Sequence, residues 1–144
     1  LLQAGMAAPS AAGKDPWHFI VVSNLAGRNR LAEGLPNGQM LRKTPVGILV
    51  CGDIEQAHDN QLSYLLQDCS AAIENILLAA SKLGLGACWL GVHPRQKRIA
   101  HCRELFGLPA NIIPVSAIAL GHPAETPEPQ TRYKKSAVHY NQWP

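Results

Sequence analysis

Two stretches of small residues are the parts of this chain best suited to meet a ligand: APSAAGKDPWHF at 8–19 and GLGACWLGVH at 84–93. Residues 9–13 carry almost no side-chain bulk, so backbone amides and the Ser10 hydroxyl can approach a ligand closely. Small residues also serve plain packing at a turn, and the stretch by itself leaves both readings open. In the second stretch, Gly91 followed by Val92 can present a bare amide edge to a flat ligand. This stretch is not G-x-G-x-x-G, and it follows a helix where a Rossmann phosphate loop would open one.

The remaining reactive side chains are sparse. Cys51, Cys69, Cys88 and Cys102 are separated by 18, 19 and 14 positions, without a C-x-x-C pair, and read as buried free thiols of a reducing compartment. No metal-ligand spacing is present. His58, His101 and His139 lie in polar surroundings and read as solvated, whereas His93 follows the candidate edge and could line a pocket. Asp68 is expected to cap structure or to accept hydrogen bonds across an interface. Trp89 is expected in the core, and Tyr64 and Gln67 are candidates for a cavity wall. Cations cluster only at Arg95 to Arg98 and at Arg132 to Lys135. With a net charge of +3 and a pI near 8.8, that is too little for a nucleic-acid footprint, and it suits a small anionic ligand.

The elements that must position these residues follow from periodicity and punctuation. Leu1 to Ala7 read as the end of a helix stopped by Pro9, so a further upstream piece is expected. Trp17 to Ser23 is strand-like, and Ser23 or Asn24 caps a helix running to about Leu35. Val46 to Cys51 is continuously apolar, as in a strand buried on both faces. A helix is expected over about 60–83, and its half SAAIENILLAA is apolar nearly all round, so part of its cover is expected from a second subunit. Gly84 ends it. Ala87 to Val92 forms a third strand, Pro94 to Phe106 a helix ended by Gly107, and Ile112 to Leu120 a fourth strand.

At 144 residues the chain suits one domain with a sizeable core, and its 16% charged content, below the globular norm, is consistent with surface covered by a partner. No apolar run long enough for a membrane helix and no signal peptide are evident, and the chain is expected to be cytoplasmic. Residues 1–121 are expected to form the domain. Residues 122–144, with Pro123, Pro127 and Pro129, form an extended tail whose Tyr133, Tyr140 and Trp143 suit an interface.

Four segments, APSAAGKDPWHFIVV, LLQDCSAAIENILLAASKLGLGACWLG, LFGLPANIIPVSAIALGHPAE and RYKKSAVHYNQW, together resemble the nitroreductase family of FMN-dependent NAD(P)H oxidoreductases, over essentially the whole chain and in the family's order. The resemblance implies an α+β fold, a mixed central sheet flanked by helices as an α-β-α sandwich, and a homodimer with FMN at its interface and terminal extensions embracing the partner. Carried over position by position, Pro9, Ser10 and Ala11 match the stretch touching the ribityl chain and ring. Leu90, Gly91 and Val92 match the segment whose backbone amide meets the flavin edge near N5. Arg132 and Lys134 match basic residues near the phosphate. Gly13 belongs to the same cofactor loop, although the family commonly has asparagine there and glutamine at Asp15, and an Arg-Arg-Ser-x-Arg segment usually leads the family. Lys14 could offer a cation to the reduced ring. The implied chemistry is ping-pong hydride transfer from NAD(P)H through flavin N5 to a small acceptor such as a nitroaromatic or quinone, without a catalytic side chain, a metal, nucleic acid or membrane. Reductive dehalogenation, flavin cleavage, or a non-catalytic dimer that has lost FMN are the alternatives.

Overall fold

The computed structural model of the chain describes residues 1–125, 128 and 130–143. Four helices, α1 (Leu2–Met6), α2 (Leu25–Glu33), α3 (Leu62–Lys82) and α4 (Gln96–Phe106), accompany four strands, β1 (Trp17–Val22), β2 (Val46–Asp53), β3 (Gly86–Gly91) and β4 (Ile112–Gly121). Local chemistry fixes the boundaries. The Asn24 side chain accepts from the Gly27 amide at 2.6 Å and caps α2. Gly84 (φ 73°) and Gly107 (φ 63°) follow the ends of α3 and α4 in the left-handed region that glycine enters freely.

The sheet order is β1-β2-β4-β3. Residues of β2 alternate between two cores: Ile48 and Val50 join Leu65, Cys69, Ile73 and Ile76 of α3, while Leu49 and Cys51 join Leu31 of α2 and Cys102 of α4. The period of two along a doubly covered strand is what makes β2 apolar throughout. Helices therefore cover both faces of the sheet, as the α-β-α expectation requires. The expected mixed sheet is corrected: all three strand pairings are antiparallel. The physical reason lies in the β3–β4 connection. Gly91, the last residue of β3, pairs with Ser116 and Gly86, its first, with Gly121, the last of β4, so α4 and residues 107–111 bring the chain back to the end of the sheet it left.

Pro114 sits in a central strand although it lacks a donor. A register shift between Val50 and Cys51 absorbs it, leaving Val115 without a β2 partner. On its other side, the Val115 carbonyl accepts from the Val92 and His93 amides at 3.2 and 3.0 Å. This bulge ends β3 at Gly91.

On α3, Tyr64 and Leu78 are exposed along one flank while the opposite flank is sealed in the core. The tail residues that are described are exposed throughout, with Tyr133, Tyr140 and Trp143 at 69%, 80% and 81%, so they contribute nothing to their own chain's core. Pro127 and Pro129, named above as tail punctuation, lie outside the described residues. No helix among those described is long and apolar enough to cross a membrane.

Candidate functional site

The small loop before β1 is rigid by construction. Ala12 (φ 51°), Gly13 (φ 63°) and Asp15 (φ 49°) all take left-handed backbone, which a non-glycine residue holds only where its surroundings impose it. Two devices impose it here. The Ser10 hydroxyl donates to the Asp15 carboxylate at 2.5 Å and accepts from the Asp15 amide at 2.9 Å, closing the loop on itself. From α3, Asp68 Oδ1 accepts from the Ala11 amide at 2.9 Å. Asp68 is buried, and its second oxygen has no hydrogen-bond partner among the described residues. The Ser10 hydroxyl is thus engaged within the loop, and the surfaces left to a ligand are Pro9, the Ala11 face and Gly13. At Gly13 an added Cβ would meet nothing within 4 Å. Asparagine, which the family commonly has there, also tolerates left-handed backbone, so glycine keeps the turn and removes only the side chain.

The second half-site is the open edge of β3. In an antiparallel ladder alternate residues turn both backbone groups away from the partner strand. Since the Val92 amide faces β4, the Gly91 peptide groups face outward, and Arg98 Nη1 reaches the Gly91 carbonyl from that side at 2.6 Å. An added Cβ at Gly91 would likewise meet nothing within 4 Å. Leu90 and Val92 are buried in the α2–α4 core and act as the anchors on either side of this edge. Val92 offers no free amide, so Gly91 alone supplies the bare edge.

Loop and edge do not meet within one chain. The loop leads into β1 and the edge is β3, the two outer strands, which are themselves separated by three inter-strand spacings of about 4.8 Å, or about 14 Å. Arg132 and Lys134 lie on the exposed tail and make no side-chain hydrogen bond to the loop or the edge among the described residues.

Other expectations are corrected by burial. Trp89 is 40% exposed, because β3 is an outer strand of the sheet and has a neighbouring strand on one side only. Cys88 is also exposed, whereas Cys51, Cys69 and Cys102 are buried. Burial raises the Cys51 and Cys69 thiols to about 12, with the Cys102 and Cys51 charges, respectively, adding to it, and raises Cys102 to about 11. These three are inert packing thiols. Tyr64 packs against His58 with ring centroids 5.1 Å apart. His101 is not simply solvated: its Nε2 bonds the Arg30 carbonyl at 2.8 Å and ties α4 to α2.

Sequence reasoning missed two positioning contacts, Asp68 to Ala11 and Arg98 to Gly91. The only available signal was an acidic residue inside an otherwise apolar helix face.

Comparison with known proteins bears on the family and the fold. Residues 33–122 match the model of the nitroreductase family. A Methanothermobacter thermautotrophicus protein provisionally named NADH dehydrogenase/NAD(P)H nitroreductase is 43% identical over 143 residues, covering 99% of this chain and 74% of the relative. Among solved structures, an FMN-dependent nitroreductase from Clostridium difficile superposes with a TM-score of 0.89 at 27% identity, covering 99% of this chain and 84% of that one. The NADPH:FMN oxidoreductase of Vibrio harveyi, complexed with NAD+, superposes with a TM-score of 0.85 at 27% identity, covering 99% and 66%. With the family model matching residues 33–122 and a relative 43% identical over 99% of this chain, the chain belongs to the nitroreductase family.

Proposed function

We propose that two copies of this chain bind FMN between them and use it to oxidise NAD(P)H, passing the electrons to a small organic acceptor of the nitroaromatic or quinone class. The chain is an NAD(P)H-dependent oxidoreductase with FMN as its cofactor, as the names of its relatives support. The observation that carries the dimer is the separation of the half-sites. A ring seated on the Gly91 edge of one copy is out of reach of the same copy's Pro9–Gly13 loop, and a second copy supplies the missing loop.

The residues fit the cofactor. Gly91 provides a flat, side-chain-free edge, and Pro9, Ala11 and Gly13 provide a second surface with room for a close approach. When bound, FMN supplies the hydride chemistry, accepting from NAD(P)H and donating to the acceptor in a ping-pong cycle. The chain's own work is orientation. The Gly91 amide would meet the cofactor on this edge, which Leu90 and Val92 anchor in the core and Arg98 holds by its carbonyl. Asp68 fixes the Ala11 amide, and with it the height of the opposing loop. Arg132 and Lys134, on a tail free to lie along the partner, supply cations for the phosphate dianion. No side chain is assigned as a proton donor, since water reaching the exposed edge protonates the product.

The test is direct. Purified protein is predicted to be yellow, with flavin absorbance near stoichiometric, and to oxidise NADH or NADPH with nitroaromatics or quinones. Colourless protein that takes up no added FMN contradicts the reading and favours a non-catalytic dimer.

A further inference from the structure

A cavity of about 520 Å³ lies between the C-terminal end of α2 and α4, lined among others by Glu33, Pro36, Arg95, Lys97, Arg98 and His101. Its volume is in the range of small-molecule sites, roughly 300–1,000 Å³. Three of its lining side chains are permanently cationic and one, Glu33, is anionic. Arg95 and Lys97 are exposed and make no side-chain hydrogen bond among the described residues, so their charges are available to a ligand.

Arg98 connects this cavity to the flavin edge. The same residue lines a smaller neighbouring cavity of about 100 Å³ together with Asn37, Trp89 and Gly91, and its guanidinium holds the Gly91 carbonyl. A ligand filling both would be anionic at the α2–α4 end and would reach the redox edge at the other. Of the reactants in the proposed cycle, a nitroaromatic or quinone has no obligatory anion, whereas NAD(P)H carries a pyrophosphate at some remove from its reacting ring.

We infer that this cavity seats the pyrophosphate of NAD(P)H through Arg95 and Lys97, with Trp89 flanking the path toward Gly91. The inference rests on the proposed function for the identity of the reductant. Arginine and lysine are suited to it, the first by its planar fork and the second as a compact charge.

The experiment compares the wild-type protein with the double variant Arg95→Ala, Lys97→Ala, both positions being exposed and neither side chain hydrogen-bonded among the described residues. ADP, which carries the pyrophosphate without the nicotinamide, is titrated by calorimetry, and NADH and NADPH are varied in steady-state assays. The expected result is ADP binding by the wild type that weakens about tenfold or more in the variant, as for loss of a charge-assisted hydrogen bond. KM for both reductants should rise by a similar factor, with kcat and flavin content unchanged. Wild type that does not bind ADP, or equal ADP affinity in the two proteins, overturns the inference. Because the titration needs no flavin, a colourless protein that still binds ADP through these residues overturns the flavin reading while upholding the cavity.

Discussion

The Ala11 amide and the Asp68 carboxylate, 57 positions apart in sequence, meet at 2.9 Å where the small loop passes over α3. This hydrogen bond ties the loop to α3, and it comes from a carboxylate whose other oxygen is buried with no hydrogen-bond partner among the described residues. Asp68→Ala leaves the Ala11 donor unmet and releases the loop, a loss of about 1.5–3 kcal/mol for a hydrogen bond to a charged group. Asp68→Asn keeps an acceptor of the same size and removes the buried charge. The alanine variant is predicted to melt roughly 5 °C lower and to retain less flavin, with the asparagine variant showing less than half of either change. Equal losses in both would mean that the charge, and not the acceptor, holds the loop.

Arg132 is exposed and makes no side-chain hydrogen bond or ion pair among the described residues, so its removal should separate cofactor binding from stability. Arg132→Ala is predicted to weaken FMN retention about tenfold or more, because an arginine–phosphate contact is charge-assisted. The melting temperature of flavin-free protein should be unchanged. Flavin titration of both forms checks it, and unchanged retention would remove Arg132 from the site.

Thiol chemistry should report burial. Of four cysteines, Cys88 alone is exposed, so one thiol per chain should react rapidly with a disulfide reagent at pH 8 and the other three only after unfolding. The three buried thiols stay protonated in the fold well above the ordinary thiol range, so unfolded chains lose those protons first as pH rises. Their contribution to stability is therefore intact below about pH 9 and falls as pH climbs toward 11 and 12. Denaturation midpoints measured from pH 7 to pH 11 should decline across that interval, and by less in a Cys69→Ala variant compared with its own value at pH 7.

Much of the architecture was legible because it is local. The unbroken apolar run at Val46 to Cys51 marks the doubly covered β2, and the spacing of Leu65, Cys69, Ile73 and Ile76 marks the buried face of α3. Glycines at 84 and 107 mark helix ends in the left-handed conformation expected of them. What the pattern did not carry is non-local. Antiparallel pairing of β3 with β4 depends on where α4 returns the chain, which no periodicity in β3 encodes. The exposure of Trp89 depends on β3 being outermost. The Asp68–Ala11 and Arg98–Gly91 contacts join segments whose spacing has no local signature, although each small-residue stretch was itself visible.

Because Gly91 ends one outer strand and the loop of Ala11 leads into the other, the most direct test of a shared cofactor site is complementation between two defective chains. Gly91→Val puts bulk where the fold has empty space, and Ala11→Trp blocks the loop face, so each is predicted to fold yet lose FMN. Unfolded together and refolded as an equimolar mixture, random pairing makes half the dimers mixed, and each mixed dimer has one intact site and one doubly blocked. About one quarter of the wild-type flavin should return, with activity in proportion. No recovery from a mixture of folded chains, or a wild-type protomer that holds FMN alone, would contradict the two-chain site.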